Sequence, residues 1–125
     1  MDFKQYSRVL RIKQELIAQL MEWFDQFDFI ISPTSYGPAF PHNHRHRPIT
    51  YEGVKIPYSE YNFAYTLPYN ICGNPVLVVP AGQDTSGLPI GLQIAAPHHA
   101  EDSLVSFGKL IEGLGYKFEP PAAFA

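Results

Sequence analysis

The sequence has a single cysteine, no long apolar run and no excess of basic residues, and each of these absences excludes a class of protein. Cys72 cannot form a disulfide within the chain, so a disulfide-stapled scaffold is excluded and a reducing, cytoplasmic compartment is expected. No stretch provides the roughly 20 apolar residues of a membrane-spanning helix, and residues 1–5 do not resemble a signal peptide. The formal net charge is -3, and no basic stripe is present to neutralise phosphates. We therefore expect neither a membrane protein nor a nucleic-acid-binding protein.

The composition is that of an ordinary globular domain. Hydrophobic residues make up 46% of the 125 residues, so the chain can bury a core. The length suits one domain, and neither an internal repeat nor a second domain is visible. No motif in the sequence requires a cofactor.

Two segments have helical periodicity. Over 3–26, large apolar residues recur at intervals of three and four, which draws one stripe along a helix, and Asp2 with Gln5 supplies a capping box at its start. We predict that this stripe packs in the core rather than against a partner. A second amphipathic helix is predicted over 101–114, and Gly115 ends it.

Three segments are predicted to be strands. The first covers 28–31 and must end at Pro33, because proline cannot donate to a sheet ladder. The run 76–79 is uninterrupted and apolar, the pattern of a strand covered on both faces. A glycine-containing turn connects it to a third strand over 90–95, so these two are predicted to form a hairpin of central strands. Together with the helices, the pattern predicts an α/β fold in which amphipathic helices pack on a few strands.

Residues 33–57 are predicted to form a long surface loop, since they are rich in Pro, His, Asn and Gly and have no periodicity. Within this loop His42, His44 and His46 occupy alternate positions. Three imidazoles could bind zinc, copper or nickel, which makes a metal-binding module one hypothesis. However, two arginines lie among them and no Cys or carboxylate completes a site, so a solvated loop that binds no metal is the stronger interpretation.

The order of Gly and Pro residues between 65 and 97 carries a family resemblance. An Asn-x-x-Gly-x-Pro turn lies at 70–75, a Pro-Ala-Gly strand end at 80–82 and a Gly-Leu-Pro-x-Gly-x-Gln strand at 87–93. In this order they resemble the C-terminal part of the amidase signature hydrolases. The resemblance implies part of a mixed-sheet amidase fold, from a family that cleaves the C–N bond of carboxamides with two serines, one of them in a cis peptide, and a lysine.

The segment that carries those catalytic residues in the family is missing from this sequence. The resemblance places them on a Gly/Ser-rich segment in the N-terminal half, whereas the serines here occur singly and no Gly-Gly-Ser-Ser-Gly-like run exists. The resemblance therefore implies an amidase fragment without catalytic residues of its own, which supplies sheet, packing and part of the substrate pocket. Its partner would be the missing N-terminal catalytic half, and Met1 is then expected to be internal to a longer protein.

A non-catalytic remnant is the alternative hypothesis. Strands 76–79 and 90–95 would expose unpaired edges and apolar faces without a parent sheet, and such surfaces favour self-association or docking to another chain.

Seven residues are candidates for the substrate pocket. In the family, the strand before Thr34 and Tyr36 leads to the substrate entrance, and the residues ahead of the Asn-x-x-Gly-x-Pro turn help to line the pocket. Here those residues are predicted to form a short helix over 59–67, broken by Pro68. A polar residue within an apolar strand must be hydrogen-bonded if it is buried, so Gln93 either staples the sheet or faces the pocket. The candidates are Thr34, Tyr36, Phe63, Tyr65, Thr66, Tyr69 and Gln93, and each could instead serve only in packing.

The residues just before Thr66 favour one kind of substrate. In the tRNA-dependent amidotransferases, the amidase component often carries an acidic residue there, which neutralises the amino group of glutamine. This chain has the uncharged run 62–65, Asn-Phe-Ala-Tyr. The departure favours a general amidase with a small-molecule amide substrate that is apolar or aromatic.

Overall fold

Four helices and five strands alternate along residues 2–120, the part of the chain that the computed structural model describes. In chain order they are α1 (Phe3–Phe24), β1 (Ile30–Pro33), β2 (Ile49–Tyr51), β3 (Val54–Ile56), α2 (Tyr58–Phe63), α3 (Leu67–Cys72), β4 (Val76–Gln83), β5 (Pro89–Ala95) and α4 (Glu101–Gly113). No helix among these residues is long and apolar enough to cross a membrane.

Strands β1, β5 and β4 form an antiparallel sheet in that order, so β5 is its central strand. The prediction of two central strands is therefore wrong for β4, which lies at an edge. Ser32 and Val78 are both in register with Gln93, so these three side chains share one face of the sheet. The register of β4 shifts between Pro80 and Gly82, the mark of a β-bulge.

The core lies on the other face of the sheet, beneath α4. Val79, Ile94, Ala96 and Leu104 form its buried centre. The Phe29 and Phe107 rings stack beside it with centroids 4.5 Å apart. Helix α4 thus covers the face that carries alternate residues of β4 and β5, as the period of two in a strand requires.

The face of the sheet that carries Gln93 is only partly covered. The α2–α3 connection reaches Gln93, but Val78 on β4 is 56% exposed. The prediction of a strand covered on both faces is wrong for β4 within residues 2–120, because no described element packs over its outer end.

Helix α1 begins at the predicted capping box, in which the Asp2 carboxylate accepts from the Gln5 N–H at 2.7 Å. None of its residues is buried, and Phe3 and Trp23 are 84% and 60% exposed. The prediction that its stripe packs in the core is therefore wrong for the described residues. The reason is that a helical stripe needs a second layer to cover it, and α1 is offered only the short α3.

The predicted loop over 33–57 contains the hairpin of β2 and β3. Its turn residues Glu52 and Gly53 both have positive φ, at 48° and 80°, as a type I′ hairpin turn requires. The sequence analysis missed this hairpin because its strands have three residues each, too few for alternation to be visible.

The helix predicted over 59–67 is two helices, α2 and α3. Pro68 lies in the first turn of α3, where its missing N–H costs no hydrogen bond, so it begins a helix rather than breaking one. The strand predicted over 28–31 starts later, and β1 includes Pro33 as its last residue at the sheet edge.

Candidate functional site

A cavity of about 210 Å³ opens where the chain leaves β1. Its walls come from the segment 33–39, from Tyr65 and from residues 89–91 at the start of β5. Three of the predicted pocket residues, Thr34, Tyr36 and Tyr65, meet in this cavity. All the side chains that line it are uncharged.

Thr34 is held at the end of the sheet by β5. Its hydroxyl donates to the Gly91 carbonyl oxygen at 3.3 Å, one position beyond the last register pair, Pro33 and Leu92. A Cβ on Gly91 would lie 3.2 Å from Val78 and 3.4 Å from Thr34, so a larger residue would force one of them to move. The second glycine of the Gly-x-Pro-x-Gly pattern thus allows Thr34 to approach the backbone of β5 closely.

Gln93 lies behind the cavity rather than in its wall. Its side chain is 1% exposed, and Nε2 donates to the carbonyl oxygen of Tyr65 at 2.7 Å. The same nitrogen lies 2.9 Å from Ser32 Oγ and 3.0 Å from the Pro33 carbonyl oxygen, so two hydrogens serve three acceptors. Of the two hypotheses for Gln93, this geometry favours the staple, because the bonds tie β1, β5 and the α2–α3 connection together.

Tyr36 and Tyr65 form one wall of the cavity together, with ring centroids 6.0 Å apart and ring planes tilted by 50°. The backbone N–H of Tyr36 donates to the Tyr61 carbonyl oxygen at 3.0 Å. The backbone of each wall residue is therefore fixed by a hydrogen bond to another element, through Tyr61 on one side and Gln93 on the other. We call this pair, Tyr36 and Tyr65, the aromatic wall.

Tyr61 supports the cavity from behind, although the sequence analysis did not single it out. It is 2% exposed, its hydroxyl donates to the Pro38 carbonyl oxygen at 2.8 Å, and its ring meets Phe40 edge to face at 5.3 Å. Gly37 fits only without a side chain, since a Cβ would lie 2.5 Å from the Tyr61 oxygen. The three-residue spacing of Tyr58 and Tyr61 was the available signal that both lie on one helical face.

The other three predicted pocket residues do not line this cavity. Phe63 is exposed at the end of α2, and Thr66 is the residue before α3. Tyr69 is buried in α3, where its carbonyl oxygen accepts from the N–H of Gly73 at the helix end. Their positions favour packing and helix-end roles over contact with a ligand in this cavity.

The histidine segment is organised by stacking. The His46 ring stacks on Tyr58 with centroids 4.5 Å apart, while His42 and His44 stack on each other at 5.7 Å. The three imidazoles therefore do not converge on one point. Within residues 2–120, no group of three His, Cys, Asp or Glu side chains could hold a metal ion.

The environment of Tyr61 predicts how stability changes at alkaline pH. Burial, and to a smaller extent the neighbouring Tyr51 phenol, raises the pKa of Tyr61 above its usual value of 10.0. Because the folded state keeps the neutral phenol, this contribution to stability is complete below the unfolded pKa and is lost as pH rises through the folded pKa. We expect the free energy of unfolding to fall between about pH 9 and about pH 11, and Tyr61→Phe to remove part of that fall. Urea unfolding of both proteins across this range checks the prediction, and an equal fall in both would contradict it.

Comparison with known proteins places this fold and cavity in a family. Residues 2–105 match the Amidase family. The chain is 33% identical over 109 residues to the amidase component of the glutamyl-tRNA(Gln) amidotransferase of Bdellovibrio bacteriovorus, covering 86% of this chain and 21% of that protein. It is 37% identical over 83 residues to an acylamidase of Rhodococcus erythropolis, covering 66% of this chain and 17% of that protein.

The solved structures agree with this assignment at the level of the fold. A crystal structure of an amidase superposes with a TM-score of 0.80 at 22% identity, over 90% of this chain and 25% of that one. The chain spans about a fifth of the length of the curated relatives that it matches. The predicted α/β fold and the predicted family are both confirmed, and the chain belongs to the Amidase family.

Proposed function

We propose that this chain is the C-terminal part of an amidase that hydrolyses the C–N bond of a carboxamide, with the catalytic Ser-cisSer-Lys centre outside the chain. The observation that carries the proposal is the family match over residues 2–105, set beside a share of only about a fifth of the relatives' length. The side chains of all five lysines are exposed, so none is held in a site where it could activate a serine. The chain's part in the reaction is to supply sheet, packing and the pocket wall at Thr34, Tyr36 and Tyr65.

We further propose that the rest of the amidase packs on α1. The helix leaves seven large apolar side chains exposed: Phe3, Tyr6, Val9, Leu10, Ile12, Leu16 and Trp23. Full burial of one such side chain stabilises by about 1.5–3 kcal/mol, so covering the stripe favours association strongly. Beside it, an apolar groove of about 360 Å³ runs between α1 and α3, with Leu20 and Leu67 among its walls.

Self-association through the same stripe is the second candidate, favoured by the same exposure. Lys13 argues against its simplest form. The residues one turn before and after it on the helix are apolar: Val9, Leu10, Leu16 and Ile17. Because Lys13 lies near the middle of α1, antiparallel pairing of two copies would bring two ammonium groups together within an apolar interface, which is costly. A covering surface with a carboxylate opposite Lys13 fits better.

The test combines this chain with a catalytic part supplied separately. The acylamidase of Rhodococcus erythropolis would be prepared without the 83 residues that match, and acetanilide hydrolysis would be measured for each protein alone and for the mixture. We expect no hydrolysis by either component alone, and both a complex and hydrolysis in the mixture. Sedimentation velocity reports the complex independently of activity.

Two results would contradict the proposal. Hydrolysis by the purified chain alone would place a catalytic centre within it. A mixture that forms no complex, while this chain self-associates, would support the self-association candidate instead.

A further inference from the structure

The cavity selects against charge. Its lining consists of hydroxyl-bearing, apolar and aromatic residues together with glycine and proline, and no carboxylate or cationic group faces a ligand there. An ion that entered would lose its hydration without a partner of opposite charge. The part of a substrate that occupies this cavity is therefore uncharged.

The volume selects for one ring. About 210 Å³ exceeds the roughly 150 Å³ of an apolar protein cavity that holds benzene. It is smaller than the roughly 300–1,000 Å³ of pockets for drug-sized ligands. A single six-membered ring with a short substituent matches this space.

The aromatic wall selects for an aromatic ring rather than a saturated one. With centroids 6.0 Å apart, the Tyr36 and Tyr65 rings are already in contact, so a ligand ring cannot enter between them and must pack against the surface that they present together. Their tilt of 50° offers a ring face beside a ring edge. An aryl group can meet both, one by offset stacking and the other edge to face, whereas a cyclohexyl group gains only contact area.

The wall is also fixed before a ligand arrives. Tyr36 is tied through its N–H to Tyr61, and Tyr65 through its carbonyl oxygen to Gln93. Because these groups are already ordered, binding loses little conformational entropy in the wall. The Thr34 hydroxyl donates to Gly91 and keeps lone pairs that can accept an amide N–H.

We propose that the aromatic wall of Tyr36 and Tyr65 binds the ring of an aryl amide, and that this cavity makes the substrate class of the site uncharged and monocyclic. The inference rests on the proposed amidase function for its meaning, but the binding step itself needs only this chain, because residues 33–91 provide every wall of the cavity.

The experiment is a titration of the ¹⁵N-labelled chain, followed by ¹H–¹⁵N correlation spectra. The probes are acetanilide, N-cyclohexylacetamide, which has the same acetamide group on a saturated ring, and glutamine, which is charged. We expect acetanilide to shift the resonances of residues 34–39, 65 and 90–91. We expect the cyclohexyl compound to bind about fivefold more weakly and glutamine to leave the cavity resonances unchanged.

Variants separate the rings from the rest of the site. Tyr36→Ala and Tyr65→Ala should each weaken acetanilide binding by about fivefold or more, and neither removes the backbone groups that bond to Tyr61 and Gln93. Tyr36→Phe, which keeps the ring, should bind within about twofold of the unsubstituted chain. Tyr116→Ala is the matched control, since Tyr116 is exposed and lies outside the cavity. The dispersion of each spectrum shows whether the variant is folded.

Three outcomes would overturn the inference: equal affinity for the aromatic and saturated amides, acetanilide shifts that map away from the cavity, or no binding to the folded chain. None of them decides the proposed amidase function, which the mixing experiment tests separately. Hydrolysis in that mixture without aryl binding here would retain the function and reject the substrate class.

Discussion

Replacing Gln93 by glutamate should unfold this protein at neutral pH. The side chain is 1% exposed, and its Nε2 faces three oxygen acceptors, on Ser32, Pro33 and Tyr65. A carboxylate in this position would replace the only donor with a negative charge directed at those oxygens. Leaving a buried charge without a partner costs about 3–5 kcal/mol, a large part of the stability of a domain of this size.

The loss should depend on pH, and its sign follows from linkage. Burial and the acceptor oxygens disfavour the ionised form, so the introduced carboxyl group has a folded pKa above its unfolded value of about 4.3. The neutral acid is therefore the form that the folded state tolerates, and the deficit grows as pH rises through that interval. Gln93→Met is the matched control, because it removes the same hydrogen bonds without adding a titratable group, at a cost of about 1–3 kcal/mol. Urea unfolding at about pH 4.5 and about pH 7.5 compares the two, and a Gln93→Glu deficit that is equal at both would show that the charge is not the cause.

Tyr61→Ala should be the second large loss, of about 3–5 kcal/mol. The residue is 2% exposed, and truncation would leave a cavity beside Phe40 and Tyr51 and an unpaired carbonyl on Pro38. Because Tyr61 also accepts the Tyr36 N–H near the aromatic wall, segment 36–40 should lose its position together with the stability. Urea unfolding measures the first effect, and the amide resonances of that segment report the second.

Two substitutions of tyrosine bracket this result. Tyr61→Phe keeps the ring and removes only the hydroxyl, so it should cost about 1 kcal/mol and leave segment 36–40 in place. Tyr116→Ala removes an exposed ring and should change stability by less than about 0.5 kcal/mol. If Tyr61→Ala costs no more than Tyr116→Ala, Tyr61 is not the support that its burial indicates.

The parts of this fold that were predictable from the sequence have local signals. The capping box of Asp2 and Gln5, three residues apart, marks the start of α1. The Gly and Pro residues between 70 and 93 identified the family because turn geometry admits few residue types at such positions. The hairpin of β2 and β3 was missed although its signal is local, since Glu52-Gly53 is not one of the usual turn pairs.

The candidate site was predictable only in part. The family resemblance pointed to Thr34, Tyr36 and Tyr65, which line one cavity, but equally to Phe63, Thr66 and Tyr69, which do not line it. Periodicity cannot separate these sets, because an aromatic side chain serves a pocket and a core equally well.

The sequence by itself determined which segments form the main helices and strands, that the chain resembles amidases, and that the Gly/Ser-rich segment which holds the catalytic residues of that family is missing. Only the tertiary structure decided that Gln93 bonds to a carbonyl 28 residues away, that Tyr61 lies behind the cavity, and that the stripe of α1 is left uncovered. The physical reason is one of range. Capping, periodicity and turn conformation depend on residues within a few positions of one another, whereas burial and hydrogen-bond partners depend on which distant segments the fold brings together.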